Sequence, residues 1–202
     1  LEELDNKFKV FKFKGKNASR ILDIGCAPGS WLQWLSKRQM NITPNANQTN
    51  RTINSEQNTA TKNNQADAQK KLLVGVDLTT IQPIQDVIFH RGNILDDEFL
   101  DELVSLYPSG FQVIISDAGV KTIGNQDTDH ARQMGLAERV IEFVEKLLLP
   151  GGNCVIKLFE GVDAQSFLKE NQQRFGNARL SKPQASRKES KEIYFIGRDW
   201  IA

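Results

Sequence analysis

The segment DIGCAPGSW, residues 23–31, restricts the possible fold of this chain more than any other feature. It overlaps a run of branched apolar residues at 20–24, which is typical of a buried strand in a parallel sheet. A glycine turn follows at 25–29, and apolar side chains then recur with helical spacing: Trp31, Leu32, Trp34 and Leu35. A strand, a glycine turn and a helix in this order indicate an open α/β fold.

The rest of the chain alternates between strand and helix patterns. Further strands are predicted at 72–76, 87–90, 111–115, 154–159 and 193–196, and further helices at 97–106, 134–148 and 164–171. Pro150, Gly151 and Gly152 are predicted to end the helix at 134–148. The alternation predicts a Rossmann-like, doubly wound α/β sheet with right-handed crossovers.

The length of 202 residues fits a single domain. Residues 1–20 are predicted to form a helix end and a lysine-rich connector. Residues 41–70, rich in Asn, Gln, Thr and Ala, offer too little apolar surface to offset the entropy of ordering them, so we predict a disordered surface insertion. No apolar run approaches the roughly 20 residues that cross a bilayer. Two cysteines are too few for a disulfide framework. We therefore expect one monomeric catalytic domain in the cytoplasm.

Basic side chains are clustered although the net charge is only +1. One cluster contains Lys12, Lys14 and Lys16, and another contains Arg187 and Lys188. Such clusters are typical of phosphate-binding surfaces, although a run of charge is more often a solvated face.

The glycine turn is the first candidate binding element. Without a Cβ at Gly25 and Gly29, the backbone can approach a ligand at the carboxyl edge of the sheet. Pro28 breaks the GxGxxG pattern of dinucleotide enzymes, and the Lys-Ser/Thr of a phosphate loop is missing. The turn thus indicates a nucleotide-like ligand, with an ordinary strand-to-helix turn as the alternative.

Polar residues end the next two predicted strands. Asp77 stands where a carboxylate can accept hydrogen bonds from two ribose hydroxyls, or alternatively cap a turn. Asn93 can accept a hydrogen bond from an adenine amino group, and its alternative role is that of a turn residue.

Three charged residues are expected to meet at the same sheet edge. Lys157 lies inside an apolar strand, where a lysine is costly to bury unless it is paired. Asp117 follows one predicted strand and Glu192 opens the last one, so both acids can reach Lys157. An ion-pair network without catalytic duty is the alternative. His90 and His130 lack the spacing of a metal-ligand set, and no metal is expected.

Taken together, five segments resemble the FtsJ family of RNA 2'-O-ribose methyltransferases, and the likeness is strongest to its large-subunit ribosomal uridine branch. The segments are DIGCAPGSW, GVDLTTIQPI, IISDAGV, GGNCVIKLFEG and SKPQASRKESKEIY. The resemblance implies a mostly parallel seven-stranded sheet with an antiparallel terminal strand, S-adenosylmethionine as cofactor and RNA, in particular large-subunit ribosomal RNA, as partner.

The resemblance also implies roles for individual residues. It places Gly29, Trp31, Asp77, Asn93 and Asp117 on the cofactor, although Asn93 replaces the usual aspartate. It implies a catalytic lysine, aspartate, lysine and glutamate, of which the last three match Asp117, Lys157 and Glu192, while the first falls upstream of Leu1. Lys157 is then expected to contact the 2'-hydroxyl and take its proton, with Asp117 orienting it.

Three other functions remain compatible with these residues. A tRNA or mRNA-cap ribose methyltransferase would use the same catalytic set. A non-catalytic RNA-binding assembly factor would keep the basic clusters, and a small-molecule methyltransferase would need neither the clusters nor the pairing of Lys157 with Glu192.

Overall fold

The computed structural model describes residues 1–40, 71–184 and 191–201. The predicted insertion at 41–70 and the basic pair Arg187 and Lys188 lie outside the described residues.

A short N-terminal unit precedes the main sheet. It consists of helix α1 (Glu2–Phe8) and a hairpin of strands β1 (Lys12–Phe13) and β2 (Lys16–Asn17). The remaining elements, in chain order, are β3 (Arg20–Ile24), α2 (Ser30–Met40), β4 (Leu72–Asp77), β5 (Val87–Arg91), α3 (Asp97–Leu106), β6 (Phe111–Ser116), α4 (Gln126–Leu147), β7 (Leu148–Phe159), α5 (Val162–Asn171), β8 (Phe175–Ser181) and β9 (Glu192–Trp200).

The seven long strands form one sheet in the order β5-β4-β3-β6-β7-β9-β8. The strands from β5 to β7 are parallel, whereas β9 is antiparallel to both of its neighbours. This confirms the predicted doubly wound, mostly parallel sheet with an antiparallel terminal strand. Strand order reverses at β3, where open α/β sheets carry their ligand site.

Both faces of the sheet are covered by apolar side chains. Leu22 and Ile24 of β3 pack into one core with Leu103 and Val140 of the later helices. Ile21 packs into a second core, together with residues of α1 and α2. Successive side chains of a strand point to opposite faces, so a buried parallel strand reads as a continuous apolar run. Among the described helices, none is long and apolar enough to cross a membrane.

Two predicted boundaries around α4 are wrong. The helix begins at Gln126, well before Met134, because Asn125 caps it by accepting a hydrogen bond from the Thr128 N–H at 3.1 Å. At the other end, Leu148 belongs to β7 and pairs with Phe111, while Asn153 pairs with Val113. The Pro-Gly-Gly segment is therefore an irregularity inside a strand, which the positive φ of 81° at Gly151 permits.

The sequence patterns missed β8 and the N-terminal hairpin. Strand β8 lies at the sheet edge, and only its first and last residues are buried, so it lacks an apolar run. The hairpin strands have two residues each, which is too short for a periodic signal.

Candidate active site

The carboxyl ends of four parallel strands place the predicted site residues side by side. Ser116, the last residue of β6, pairs with Ile24 on one side and with Ile156 on the other. The residues that follow, namely Gly25, Asp117 and Lys157, therefore lie at the same level of the sheet. Strand β9 runs the opposite way, and its first residue, Glu192, is the partner of Phe159.

Lys157 lies between two carboxylates. Its Nζ is 3.5 Å from Oδ1 of Asp117 and 3.7 Å from Oε1 of Glu192, and its side chain is 10% exposed. Burying an ammonium group is unfavourable unless negative charge lies nearby, and these two acids supply it. The three side chains that were predicted to meet at the sheet edge are therefore adjacent.

Tyr194 adds a fourth polar group to this cluster. Its hydroxyl donates a hydrogen bond of 2.9 Å to Oδ1 of Asp117. Burial, followed by the negative charge and hydrogen bond of Asp117, raises the pKa of Tyr194 far above its ordinary value. The hydroxyl therefore stays protonated and remains a donor that fixes the orientation of Asp117.

Gln133 connects the two strand ends that carry Asp117 and Lys157. Its Nε2 donates to the carbonyls of Ala118 and Lys157, both at 3.1 Å, and its Oε1 accepts from the N–H of Val120 at 3.1 Å. The side chain is buried, so all three bonds are shielded from water. Gln133 lies on the apolar face of α4, and the only sequence signal for this role is an amide at a core position.

A cavity of about 70 Å³ lies beside Asp117, under the glycine turn. Gly25 has a φ of +73°, and a Cβ there would lie 2.5 Å from Cα of Ala118. Only glycine allows the loop after β6 to approach the turn this closely. Residues that line the cavity are Asp23, Gly25, Cys26, Ala27, Pro28, Ser30, Trp31 and Asp117.

Asp23 is the most unusual group in this cavity. It is fully buried, and neither of its carboxylate oxygens has a hydrogen-bond partner. Burial raises the pKa of Asp23 well above 3.8, and the negative charges of Asp117 and Asp77 raise it further. A buried acid without a partner is costly, and a ligand with a positively charged group would satisfy it. The sulfonium and ammonium groups of S-adenosylmethionine meet this requirement, so the lining fits that cofactor.

Asp77 and Asn93 both make local hydrogen bonds. Oδ2 of Asp77 accepts from the N–H of Ala27 at 2.9 Å, and Oδ1 accepts from Thr79 at 2.7 Å, so the carboxylate braces the glycine turn. Asn93 donates to Asp96 at 2.9 Å and accepts from Leu95 at 3.1 Å, which is the turn geometry named as its alternative role. The predicted contacts of both residues with a cofactor stay predictions.

The predicted RNA-binding lysines lie on the N-terminal hairpin. Lys12, Lys14 and Lys16 are all exposed. The hairpin is fixed to the sheet by Asn153, whose Nδ2 donates to the carbonyls of Val10 at 2.8 Å and Lys12 at 2.6 Å. These lysines therefore form a positively charged surface on an anchored support.

The two histidines are not neighbours. Nε2 of His90 is 2.6 Å from the hydroxyl of Tyr107, and Nε2 of His130 is 3.0 Å from Oδ2 of Asp163. Within residues 1–40, 71–184 and 191–201, no three His, Cys, Asp or Glu side chains are grouped so that they could hold a metal ion.

Comparisons with known proteins identify the family to which this chain is similar. A model of the FtsJ-like methyltransferase family matches residues 1–200. Curated relatives include two proteins named ribosomal RNA large subunit methyltransferase E, from Methanothrix thermoacetophila (30% identity over 202 residues) and Acidiphilium cryptum (34% over 196 residues). The alignments cover 100% and 97% of this chain, and 66% and 72% of those relatives.

Solved structures show the same architecture. A protein described as a ribosomal RNA methyltransferase from Plasmodium falciparum superimposes with a TM-score of 0.74 at 25% identity, covering 100% of this chain and 94% of that one. A Streptococcus mutans methyltransferase in complex with SAH gives a TM-score of 0.50 at 14% identity, covering 98% and 96% of the two chains, and supports the fold alone.

Proposed function

This chain belongs to the FtsJ-like methyltransferase family, and from that premise we propose that it transfers a methyl group from S-adenosylmethionine to a ribose 2'-hydroxyl of large-subunit ribosomal RNA. Family membership agrees with the resemblance seen in the sequence. The substrate is a proposal because the chain spans about two thirds of the length of the first relatives, which are named for large-subunit ribosomal RNA.

The observation that carries the proposal is the position of Lys157. It lies between two acids, Asp117 and Glu192, and one of them also lines the cavity that holds the partnerless Asp23. A methyl acceptor that binds against Lys157 would thus be adjacent to a ligand in the cavity. Holding two reactants in register supplies much of the acceleration available to a transfer of this kind.

S-adenosylmethionine, when bound, supplies a methyl group activated by a positively charged sulfur. Asp23, Gly25, Trp31 and Asp117, which line the small cavity, and Gly29 in the same turn would hold its positively charged part, while Asp77 and Asn93 at neighbouring strand ends would bind its nucleoside part. Asp23 provides the negative charge, and the glycines provide close backbone approach.

Lys157 and its two acids would act on the acceptor. Lys157 Nζ contacts the 2'-hydroxyl and takes up its proton as general base. Asp117 orients Lys157 and is itself held by Tyr194. Glu192 aligns the hydroxyl from the other side.

The RNA backbone would bind the anchored lysines Lys12, Lys14 and Lys16, together with Arg187 and Lys188. We place the reaction in the cytoplasm. Both cysteines are buried and free, and the absence of a disulfide between them suits a reducing compartment.

The test is transfer of a labelled methyl group from S-adenosylmethionine to large ribosomal subunits by the full-length protein. The expected product carries the label in one ribose of large-subunit RNA. Label found only in tRNA or capped mRNA would identify that RNA as the substrate instead. Lys157→Ala should lower turnover at least about 1000-fold because proton transfer and positioning are both lost. Cofactor affinity should persist in that variant.

Lys146→Ala is a matched control. Lys146 is also paired with an acid, Asp101 at 2.9 Å, but it is exposed on α4, away from the cavity. A Lys157→Ala variant that turns over at the rate of the Lys146→Ala variant would remove Lys157 from the reaction. A wild-type protein that binds subunits and S-adenosylmethionine without transfer would indicate a non-catalytic assembly factor.

A further inference from the structure

A second and larger cavity, of about 610 Å³, is lined in part by Glu192, one of the two acids beside Lys157. Asp117, the other acid, lines the small cavity instead. We propose that the larger cavity receives the nucleoside, ribose and base together, of the RNA nucleotide that is methylated. The inference rests on the proposed function and specifies which part of the RNA enters the protein.

The two cavities are connected through the catalytic residues. Asp117 lines the small cavity, Glu192 lines the large one, and Nζ of Lys157 is within 3.7 Å of both carboxylates. A hydroxyl placed against Lys157 therefore belongs to a molecule that either shares the cofactor cavity or extends into the large one. The small cavity, at about 70 Å³, has no room for a nucleoside.

The walls of the large cavity are held apart by specific contacts. Asp129, at the start of α4, accepts hydrogen bonds from Ile123 at 2.9 Å and Gly124 at 3.2 Å and so fixes the loop that carries Thr122. Gln126 accepts from Nζ of Lys191 at 3.0 Å, which connects α4 to the start of β9. These bonds preform the cavity, as is usual for ligand sites.

A further wall contact involves a ring. His130 pairs with Asp163 at 3.0 Å, which connects α4 to the start of α5. The imidazole lies against Gly161, where an added Cβ would be 2.9 Å from Cε1 of His130. Because residue 161 is a glycine, the imidazole ring of His130 can lie directly against the backbone there.

The charge of the cavity excludes a phosphate. Among the described residues that line it, five are acids and only one is a lysine, Lys191, which already donates to Gln126. The acids outnumber their partners, although Glu160 pairs with Lys182, Asp163 with His130 and Glu192 with Lys157, so the lining stays net negative and repels an anion. Carboxylate oxygens also accept hydrogen bonds from hydroxyl and N–H groups. A nucleoside has such donors and no charge, so it suits the interior, with its phosphates left outside.

Flat and apolar side chains complete the match. Phe159 and His130 provide half-buried rings in the lining, and Val162 stands 82% exposed at the rim. Bases stack on aromatic rings and on apolar side chains in RNA-binding proteins, because every base has a flat π-face.

The experiment narrows the cavity without touching the catalytic residues. Val162→Trp places a large ring at the rim, and because Val162 is exposed the fold has no reason to change. With large ribosomal subunits as acceptor, kcat/KM should fall about tenfold or more, since the nucleoside competes with the new ring for space. The Kd for S-adenosylmethionine should be unchanged. Gln165→Trp, on the exposed side of the same helix and outside the lining, is the matched control and should behave as wild type.

A second measurement locates the base directly. RNA containing 4-thiouridine, bound to the wild-type protein and irradiated, should crosslink to the segments that contain His130 and Phe159. Crosslinks confined to other surfaces, or equal kcat/KM for Val162→Trp and Gln165→Trp, would overturn the inference while leaving the proposed function intact. Wild-type protein that never methylates RNA would overturn both.

Discussion

Replacing Gln133 with methionine tests whether the loop after β6 must be fixed to β7 for catalysis. Methionine has a similar length and volume but forms none of the three hydrogen bonds that the amide makes with Ala118, Val120 and the Lys157 carbonyl. Each lost bond costs about 1 kcal/mol net, so the free energy of unfolding should fall by about 3 kcal/mol. At roughly 2–4 °C per kcal/mol for a domain of this size, Tm should fall by about 6–12 °C.

Activity should fall by more than the loss of stability explains. The loop that Gln133 holds carries Asp117 at its start and Gly119 further on, and a Cβ at Gly119 would lie 2.9 Å from Nζ of Lys157. A loop shift of about 1 Å changes the setting of Lys157 and can cost roughly 100-fold in kcat. The assay is initial rate of methyl transfer well below Tm, together with the Kd for S-adenosylmethionine.

Gln112→Met is the matched control for this prediction. Oε1 of Gln112 accepts from the N–H groups of Ser19 at 2.6 Å and Arg20 at 3.3 Å, near the opposite end of β6. This variant should lose stability and keep its kcat. The reasoning is refuted if the two variants have the same kcat, or if Gln133→Met melts at the wild-type temperature.

Two further predictions concern the small cavity. The raised pKa of Asp23 makes the folded chain hold a proton that the unfolded chain releases, so the free energy of unfolding should decrease as pH rises above about 4. Asp23→Asn should flatten this part of a curve of Tm against pH. An unaltered slope would contradict the raised pKa of Asp23. The same substitution should abolish proton release on binding S-adenosylmethionine, measured by calorimetry in buffers of different ionisation enthalpy. Gly25→Ala should weaken cofactor binding at least about tenfold, because the added Cβ overlaps Ala118 and φ at this position is +73°. Circular dichroism must show that the variant keeps its fold. A wild-type Kd would contradict the close approach of the loop after β6 to the glycine turn.

The sequence predicted that Asp117, Lys157 and Glu192 meet because their proximity follows from a rule about whole strands. Parallel strands end at one edge, so acids and a lysine at strand ends must be neighbours, and Asp117, Lys157 and Glu192 are neighbours here. This rule requires no knowledge of loops or side-chain packing. The strands of the main sheet could also be predicted, because buried parallel strands are continuous apolar runs.

Other features depend on packing that no local pattern encodes. Asp23 lies inside the run at 20–24 that predicted β3, and its lack of a hydrogen-bond partner is visible only when its neighbours in three dimensions are known. Gln133 and Tyr194 occupy ordinary core positions of a helix and a strand. The edge strand β8 was missed because only its first and last residues are buried. Asn93 carried two interpretations, and its contacts with Leu95 and Asp96 are those of the local turn.

The place of β9 in the sheet has a consequence for biosynthesis. Among the described strands, β9 comes last in the chain, yet it lies between β7 and β8 and brings Glu192 and Tyr194 to Lys157. During synthesis the emerging polypeptide has a gap in its sheet, and Lys157 lacks these partners, until residues 192–200 are available to fill it. Pairing across such long chain separations is slow, and an open edge invites association with other nascent chains. Assembly of the cluster around Lys157 is thus coupled to the synthesis of residues 192–200.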